Sequence, residues 1–381
     1  MAIYISSSMI THPIYGGLGN QLYQIFATIA LAIRTGDTCT FYQTPPPPNR
    51  PGHIEASGVA TRIKHWDTIL AKLDPYMRST DPCEDTTLNR YRYSQPSHAY
   101  TPIQVQDHDT SKLGTLYILD GYFQSYKYFD REFDTICRYL DIEGQRAQVA
   151  ELVRSHPILC KIIDHDQGVR VAMHFRIGDY KTLSHNHPVM TAAYYERALT
   201  ALLSDLNTKS EGTTPVTSEV NIFLFYDTLE EPEVTPIIEH LQRRVVCPPG
   251  IEIQYHHVPP TMMSERLLSD PEHMLLMSMC THFIIANSTF SLWAAYFSNY
   301  FAKGPEVFLK PTAKPTLRYH EGRLHPQSLP VCLRHGSPTL GLNTTVYYPS
   351  IWFGPALRFT HDVRDMFPKS WTQIDASSDA S

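Results

Sequence analysis

The chain reads as an α/β protein of two domains, and three observations carry that reading. Short apolar or β-branched runs of strand length alternate with longer, breaker-free stretches of helical length, as in parallel sheets with crossover helices. One run, Val169 to Phe175, is mostly apolar, as a parallel strand covered on both faces must be. And 381 residues exceed what a single core of ordinary size organises.

Taken in order, Tyr15 to Asn20 is glycine-rich and leads into Gln21 to Ala32, a long Ala/Ile-rich stretch that predicts a buried helix. Thr38 to Gln43 predicts the next strand. Pro45 to Pro48 forces an extended loop, because proline fixes φ and removes a donor. Residues 50 to 110 are irregular, rich in Pro, Thr and Asp. Thr115 to Leu119 is a strand that runs into the aromatic segment Gly121 to Phe129, and Arg131 to Leu140 and Gln145 to Arg154 read as helices. A new unit then begins, which sets a boundary near residue 160 and domains of 1–160 and 161–381. Its strands are Val169 to Phe175, Asn221 to Tyr226 (ending in Asp227), Ile251 to His257 and His282 to Ala286. Its helices are Thr191 to Leu206, His273 to Cys280 and Ser291 to Phe301.

Composition narrows the function. Hydrophobic residues at 42% supply real cores, and charged residues at 18% do not suit a disordered chain. A net charge of −6 argues against nucleic-acid binding by bulk electrostatics, while leaving room for a local basic pocket. The cysteines at 39, 83, 137, 160, 247, 280 and 332 form no CxxC pair, so packed thiols are expected rather than a disulfide framework or zinc site. No signal peptide is evident, and no run nears the roughly 18 apolar residues of a membrane helix, so a cytoplasmic location is expected.

Three segments could carry chemistry. Gly16-Gly-Leu-Gly-Asn-Gln21 stands at a loop-to-helix junction. Its glycines admit a close ligand, and the helix N-terminus offers free N–H groups; a tight turn before a packed helix would use the same residues. His174-Phe-Arg-Ile-Gly-Asp-Tyr180 follows the strongest strand. Polar residues at the carboxyl end of a buried parallel strand point into the crevice where such folds bind ligands. Arg176 is a natural fork for a diphosphate, Gly178 lets the chain turn, and Asp179 can orient Arg176 or His174; the weaker alternative is a plain strand-end ion pair between Arg176 and Asp179. Ala286-Asn-Ser-Thr-Phe-Ser-Leu-Trp293 places Asn287, Ser288 and Thr289 at a helix start, either as plain caps or as a phosphate seat of hydroxyls, N–H groups and helix dipole. Of the Asp-His-Asp triplets, 107–109 sits in a polar loop and 164–166 precedes a strand rather than following one, and the His185/His187 and His256/His257 pairs lack a partner set at metal spacing, so no metal site is expected.

Together these segments resemble the α-1,2-fucosyltransferase family. The resemblance rests on Gly16 to Gln24, on Gly121-Tyr-Phe-Gln-Ser-Tyr-Lys-Tyr-Phe129, on His174 to Tyr180, and on Leu276-Met-Ser-Met-Cys280 followed by Asn287 to Trp293, four motifs in the family's order. It implies a GT-B fold, two Rossmann-like domains facing across a cleft, with the nucleotide sugar held mainly by the C-terminal one and the acceptor on the N-terminal side. It implies transfer from GDP-fucose to a glycan with inversion, and no cofactor or metal. Arg176 would hold the β-phosphate, His174 would lie beside the donor, and Ser288, Thr289 and Phe290, with Asn287, would bind the same diphosphate. Gly17, Gly19 and Asn20 would face the site from the other domain, and Tyr122, Gln124 and Asp227 are candidates on the acceptor side. Three residues depart from the pattern. Ile177 replaces a second Arg. Leu292 replaces the first Trp of a pair, a change in packing. His273 replaces an Asp that could read guanine through N1–H and the 2-amino group, leaving neighbouring Glu272 as the candidate carboxylate. The expected reaction is a dissociative displacement in which Arg176 and the helix start at Ser288 take the charge building on GDP, such a donor being worth roughly 3–4 kcal/mol. His174, Asp179 or no base at all would serve the acceptor hydroxyl. The rivals are another GDP-sugar or linkage, and a non-catalytic sugar or nucleotide binder.

Overall fold

The computed structural model describes residues 8–42, 65–78, 89–104, 114–164, 168–210, 218–262, 266–301, 344–355 and 365–377, with Leu357 and Val363. Backbone contacts separate two units. Among the described residues the first runs to Glu143 and takes back 365–367, and the second begins at Gly144 and includes 344–355 and 368–377.

The first unit holds five strands: β1 (Ser8–Pro13), β2 (Thr38–Tyr42), β3 (Met77–Arg78), β4 (Asn89–Ser94) and β5 (Thr115–Asp120). All pair in parallel, in the order β3-β2-β1-β5-β4. The predicted buried helix is α1 (Leu18–Thr35), buried from Leu18 to Ala32 apart from Asn20. It stops where Gly36 adopts φ 74° and its N–H bonds back to Ala32 O, a left-handed cap that glycine takes without a Cβ penalty. Helix α2 (Phe133–Tyr139) packs on it through Phe26 and Phe133, ring centroids 5.5 Å apart, and α3 (Ile142–Val153) carries the chain into the second unit. Strand β1 escapes the sequence reading because Thr11 and His12 sit at its centre, yet both are fully buried.

The second unit holds α4 (Cys160–Ile163), β6 (Val169–His174), α5 (Ala192–Ser210), β7 (Ser218–Phe225), α6 (Glu231–Arg244), β8 (Ile251–Val258), α7 (Asp270–Met277), β9 (His282–Ile284), α8 (Thr289–Phe301), β10 (Thr345–Pro349) and β11 (Thr372–Ile374). The six strands form one parallel sheet, β8-β7-β6-β9-β10-β11. Val171 and Met173 of β6, Ile222 and Leu224 of β7, and Tyr194, Leu199 and Leu202 of α5 form its core. Helix α6 escapes the sequence reading because it contains two prolines, Pro232 in its first turn and Pro236 inside. Helix α7 begins three residues before the expected His273, because Ser269 and Glu272 form a capping box there. Leu292 is fully buried in α8, in keeping with a packing role.

Each unit is thus a Rossmann-like parallel α/β layer, the pair that the GT-B expectation required. Strand order reverses between β6 and β9 in the second unit and between β1 and β5 in the first. At such a switch point successive crossovers leave in opposite directions, which opens a crevice at the carboxyl ends of the two strands.

Candidate active site

The second switch point collects two of the predicted segments. The chain leaves β6 at His174, and the Phe175 N–H bonds to Phe225 O at 2.9 Å, prolonging the sheet. Arg176 comes next, its side chain 33% exposed, with Nη2 2.8 Å from Asp179 Oδ1. Its guanidinium lies over the Tyr180 ring, 5.2 Å from the centroid. The Tyr180 hydroxyl donates to Asn287 O at 3.2 Å, which joins this turn to the segment entering α8. At that entry Ser288 Oγ accepts from the Phe290 N–H at 3.3 Å. The His174 and Phe290 rings stack with centroids 5.8 Å apart. His174, Arg176, Asp179 and the Asn287–Phe290 turn therefore share one location, as read from sequence.

Electrostatics there follow from burial. Burial lowers the His174 pKa well below its usual value, with Arg176 and His273 adding to the effect, so the imidazole is neutral at pH 7. Its Nδ1 is buried without a hydrogen-bond partner among the described residues. Burial opposes the charge on Arg176, but Asp179, Tyr180 and Glu230 outweigh it and raise the pKa. The guanidinium is a permanent cation, held from the side by Asp179 and partly open to solvent.

Other candidates are engaged elsewhere. The Asn287 amide is buried and donates to Pro188 O at 3.0 Å and Trp352 O at 3.1 Å, so it pins the loop before α8. Glu272 closes the α7 capping box and takes both arms of Arg266, at 2.7 and 2.8 Å. The Arg266 fork, with Ser269, brings its pKa down to about 2 despite partial burial. His273 is buried, its Nε2 2.8 Å from Val258 O, so that nitrogen carries the proton and the ring is held beside Phe225 and Phe290. Asp227 follows β7, and its Oδ1 accepts from the Leu229 N–H at 3.1 Å. His187 stacks on Tyr180, His256 bonds Asn221 and His257 bonds Tyr226. Among the described residues no three His, Cys, Asp or Glu side chains gather as metal ligands; the 107–109 triplet, and its 164–166 counterpart beyond Asp164, lie outside them.

The first unit's switch point holds the other segments. Gly16 takes φ 85°, Gly17 caps α1, and an added Cβ on Gly16 would lie 3.0 Å from Asn20 Cβ and Nδ2. Gly19 lies inside the buried first turn of α1. Gln24 clamps Tyr15 through both its backbone groups, at 3.0 and 2.9 Å. Gln124 Nε2 donates to Asn20 Oδ1 at 2.8 Å, tying the Gly121–Phe129 segment to the glycine loop. Tyr122 meets Tyr15 edge to face with centroids 5.0 Å apart. The strand-pair neighbourhood of β1 and β5 creates this contact, and no sequence pattern announces it.

These features define a Rossmann-like α/β unit with a cationic crevice, beside the start of α8, at its switch point. Residues 261–303, which carry α7, β9 and α8, match the family model "Glycosyl transferase family 11". The match is confined to these elements of the second unit. No curated protein sequence matches it. Solved structures overlap it loosely. A point mutant of FUT1 from Arabidopsis thaliana in complex with GDP shares 13% identity over 76% of this chain and 68% of that chain, TM-score 0.38. The fucosyltransferase NodZ from Bradyrhizobium shares 14% over 77% and 93%, TM-score 0.36. Overlaps this loose add nothing about the chemistry of this chain. No described helix is long and apolar enough to cross a membrane.

Proposed function

We propose that this chain transfers L-fucose from GDP-fucose to a hydroxyl of a glycan acceptor, in α-1,2 linkage, with inversion and without a metal ion. The observation that carries the proposal is Arg176: a permanent cation fixed by Asp179 and Tyr180 at the carboxyl end of the switch-point strand, one hydrogen bond away from the chain that opens α8. A guanidinium fork and a helix N-terminus are the two groups that best stabilise a leaving diphosphate, and together they supply charge that a metal supplies in other designs. The motif resemblance and the family match direct this charge to a nucleotide sugar.

The proton inventory supports a dissociative path. Asp179 is paired to Arg176, and His174 is a weak base because burial opposes its charging. Neither is suited to strip the acceptor hydroxyl early, so the C1–O bond to the β-phosphate breaks first and the hydroxyl loses its proton late, to an oxygen of the departing GDP or to water. His273 and the Arg266-bound Glu272 favour one second reading, a different nucleotide sugar on the same scaffold. A screen of nucleotide sugars for diphosphate release, with and without EDTA, separates these. GDP-fucose turnover unaffected by EDTA is expected. Turnover that needs metal, or a preference for a UDP-sugar, refutes the corresponding part.

A further inference from the structure

We infer that Glu230 is a positioning residue of the donor site, the group that holds the turn carrying Arg176 in shape. Glu230 lies in the turn after β7 and is only 3% exposed. Its Oε1 accepts the N–H of Ile177 at 2.8 Å and that of Gly178 at 2.6 Å, the two residues directly after Arg176. Its Oε2 accepts the Asp227 N–H at 3.1 Å, one half of a capping box with the Asp227 side chain, whose Oδ1 also accepts the Leu229 N–H. One carboxylate thus ties the loop leaving β6 to the loop leaving β7.

The residue types fit the task. Backbone N–H groups buried at a strand end need acceptors, and an ionised carboxylate is the strongest available in a side chain. Gly178 is matched to it: an added Cβ would stand 3.1 Å from Glu230 Oε1, closer than the clamp tolerates without shifting. Asp179 lies in the same turn and meets Arg176 at 2.8 Å, so a displaced turn moves the guanidinium's side anchor as well. Glu230 itself never needs to touch the donor.

This inference rests on the donor reading above, and the test keeps the two apart. GDP affinity is measured by calorimetry for the full chain and for R176A, E230A, E230Q, G178A and the R176A/E230A double variant. Losing hydrogen bonds to a charged group predicts a GDP affinity for E230A roughly tenfold or more below that of the intact chain. E230Q should recover most of it, because its Oε1 still accepts from Ile177 and Gly178. G178A, which crowds the carboxylate, should weaken GDP severalfold with thermal stability near that of the intact chain. The double variant should bind no more weakly than R176A alone, because Glu230 acts through Arg176. Losses that add in the double variant, or E230A and G178A binding GDP like the intact chain while R176A does not, overturn the positioning role. If E230A fails to fold, G178A decides by the same criteria. If the intact chain and R176A bind GDP equally or not at all, the donor reading falls, and the role of Glu230 with it.

Discussion

Replacing Arg176 by Ala should separate catalysis from stability. The Arg176 and Asp179 side chains are 33% and 38% exposed, so their 2.8 Å ion pair is of the partly solvated kind worth about 0.2–1 kcal/mol. The ring contact with Tyr180 adds about 0.5–1 kcal/mol. Folding stability should therefore fall by about 0.7–2 kcal/mol, which at roughly 2–4 °C per kcal/mol is a modest drop in Tm. Transition-state stabilisation by a preorganised donor is larger, about 2.7–4 kcal/mol, so turnover should fall about 10²- to 10³-fold. The assay is GDP release from GDP-fucose in the presence of a glycan acceptor, read beside thermal denaturation of the same preparation. Arg176→Lys should fall between the two proteins, since it keeps the charge and loses the fork. Turnover of Arg176→Ala within about threefold of the intact chain would refute the assignment of charge stabilisation to this residue, whose expected loss is about 10²-fold or more. So would activity that falls only in proportion to the folded fraction.

Two further outcomes follow from burial and pairing. Glu272 has its folded pKa drawn down to about 2 by the Arg266 fork, so its stabilisation is complete above the ordinary glutamate range and drains as pH falls toward about 2. In urea titrations across that acid range, Glu272→Gln should start less stable and lose less than the intact chain; parallel curves would contradict the linkage. Cys247 is exposed, whereas Cys39 and Cys280 are buried and burial pushes both thiols up, Cys280 to about 12. Alkylation mapped by mass spectrometry should mark Cys247 in the native protein and the other two only on unfolding; native labelling of Cys39 at a similar rate would contradict the fold around β2.

Much of the architecture is legible because it is written in local pattern. The apolar run of β6, the breaker-free α1 and the β-branched β5 each announce themselves over a few residues. What escapes is locally disguised. Strand β1 carries buried Thr11 and His12, and α6 carries two prolines. The Ser269–Glu272 capping box, by contrast, is a readable signal that fixes the start of α7 earlier than its apolar pattern does. In the candidate site, the motif residues are readable as types at strand ends, and His174, Arg176, Asp179 and Ser288 do meet around one crevice. Their partners are not readable, because those partners lie far along the chain.

The sequence by itself determined the alternation of strands and helices, the placement of polar residues just beyond strand ends, and the family pattern they compose. Only the tertiary structure decided which strand ends are neighbours. Parallel strands pair through crossovers, so β6 lies between β7 and β9, and β1 beside β5, for reasons no local window contains. That placement brings Gln124 to Asn20 and Glu230 to Gly178, across separations of 104 and 52 residues. It also commits the Asn287 Nδ2 group and the Glu272 carboxylate to partners within the protein. A side chain's chemistry is set by its type, but whether that chemistry is free for a ligand depends on which buried groups need it first.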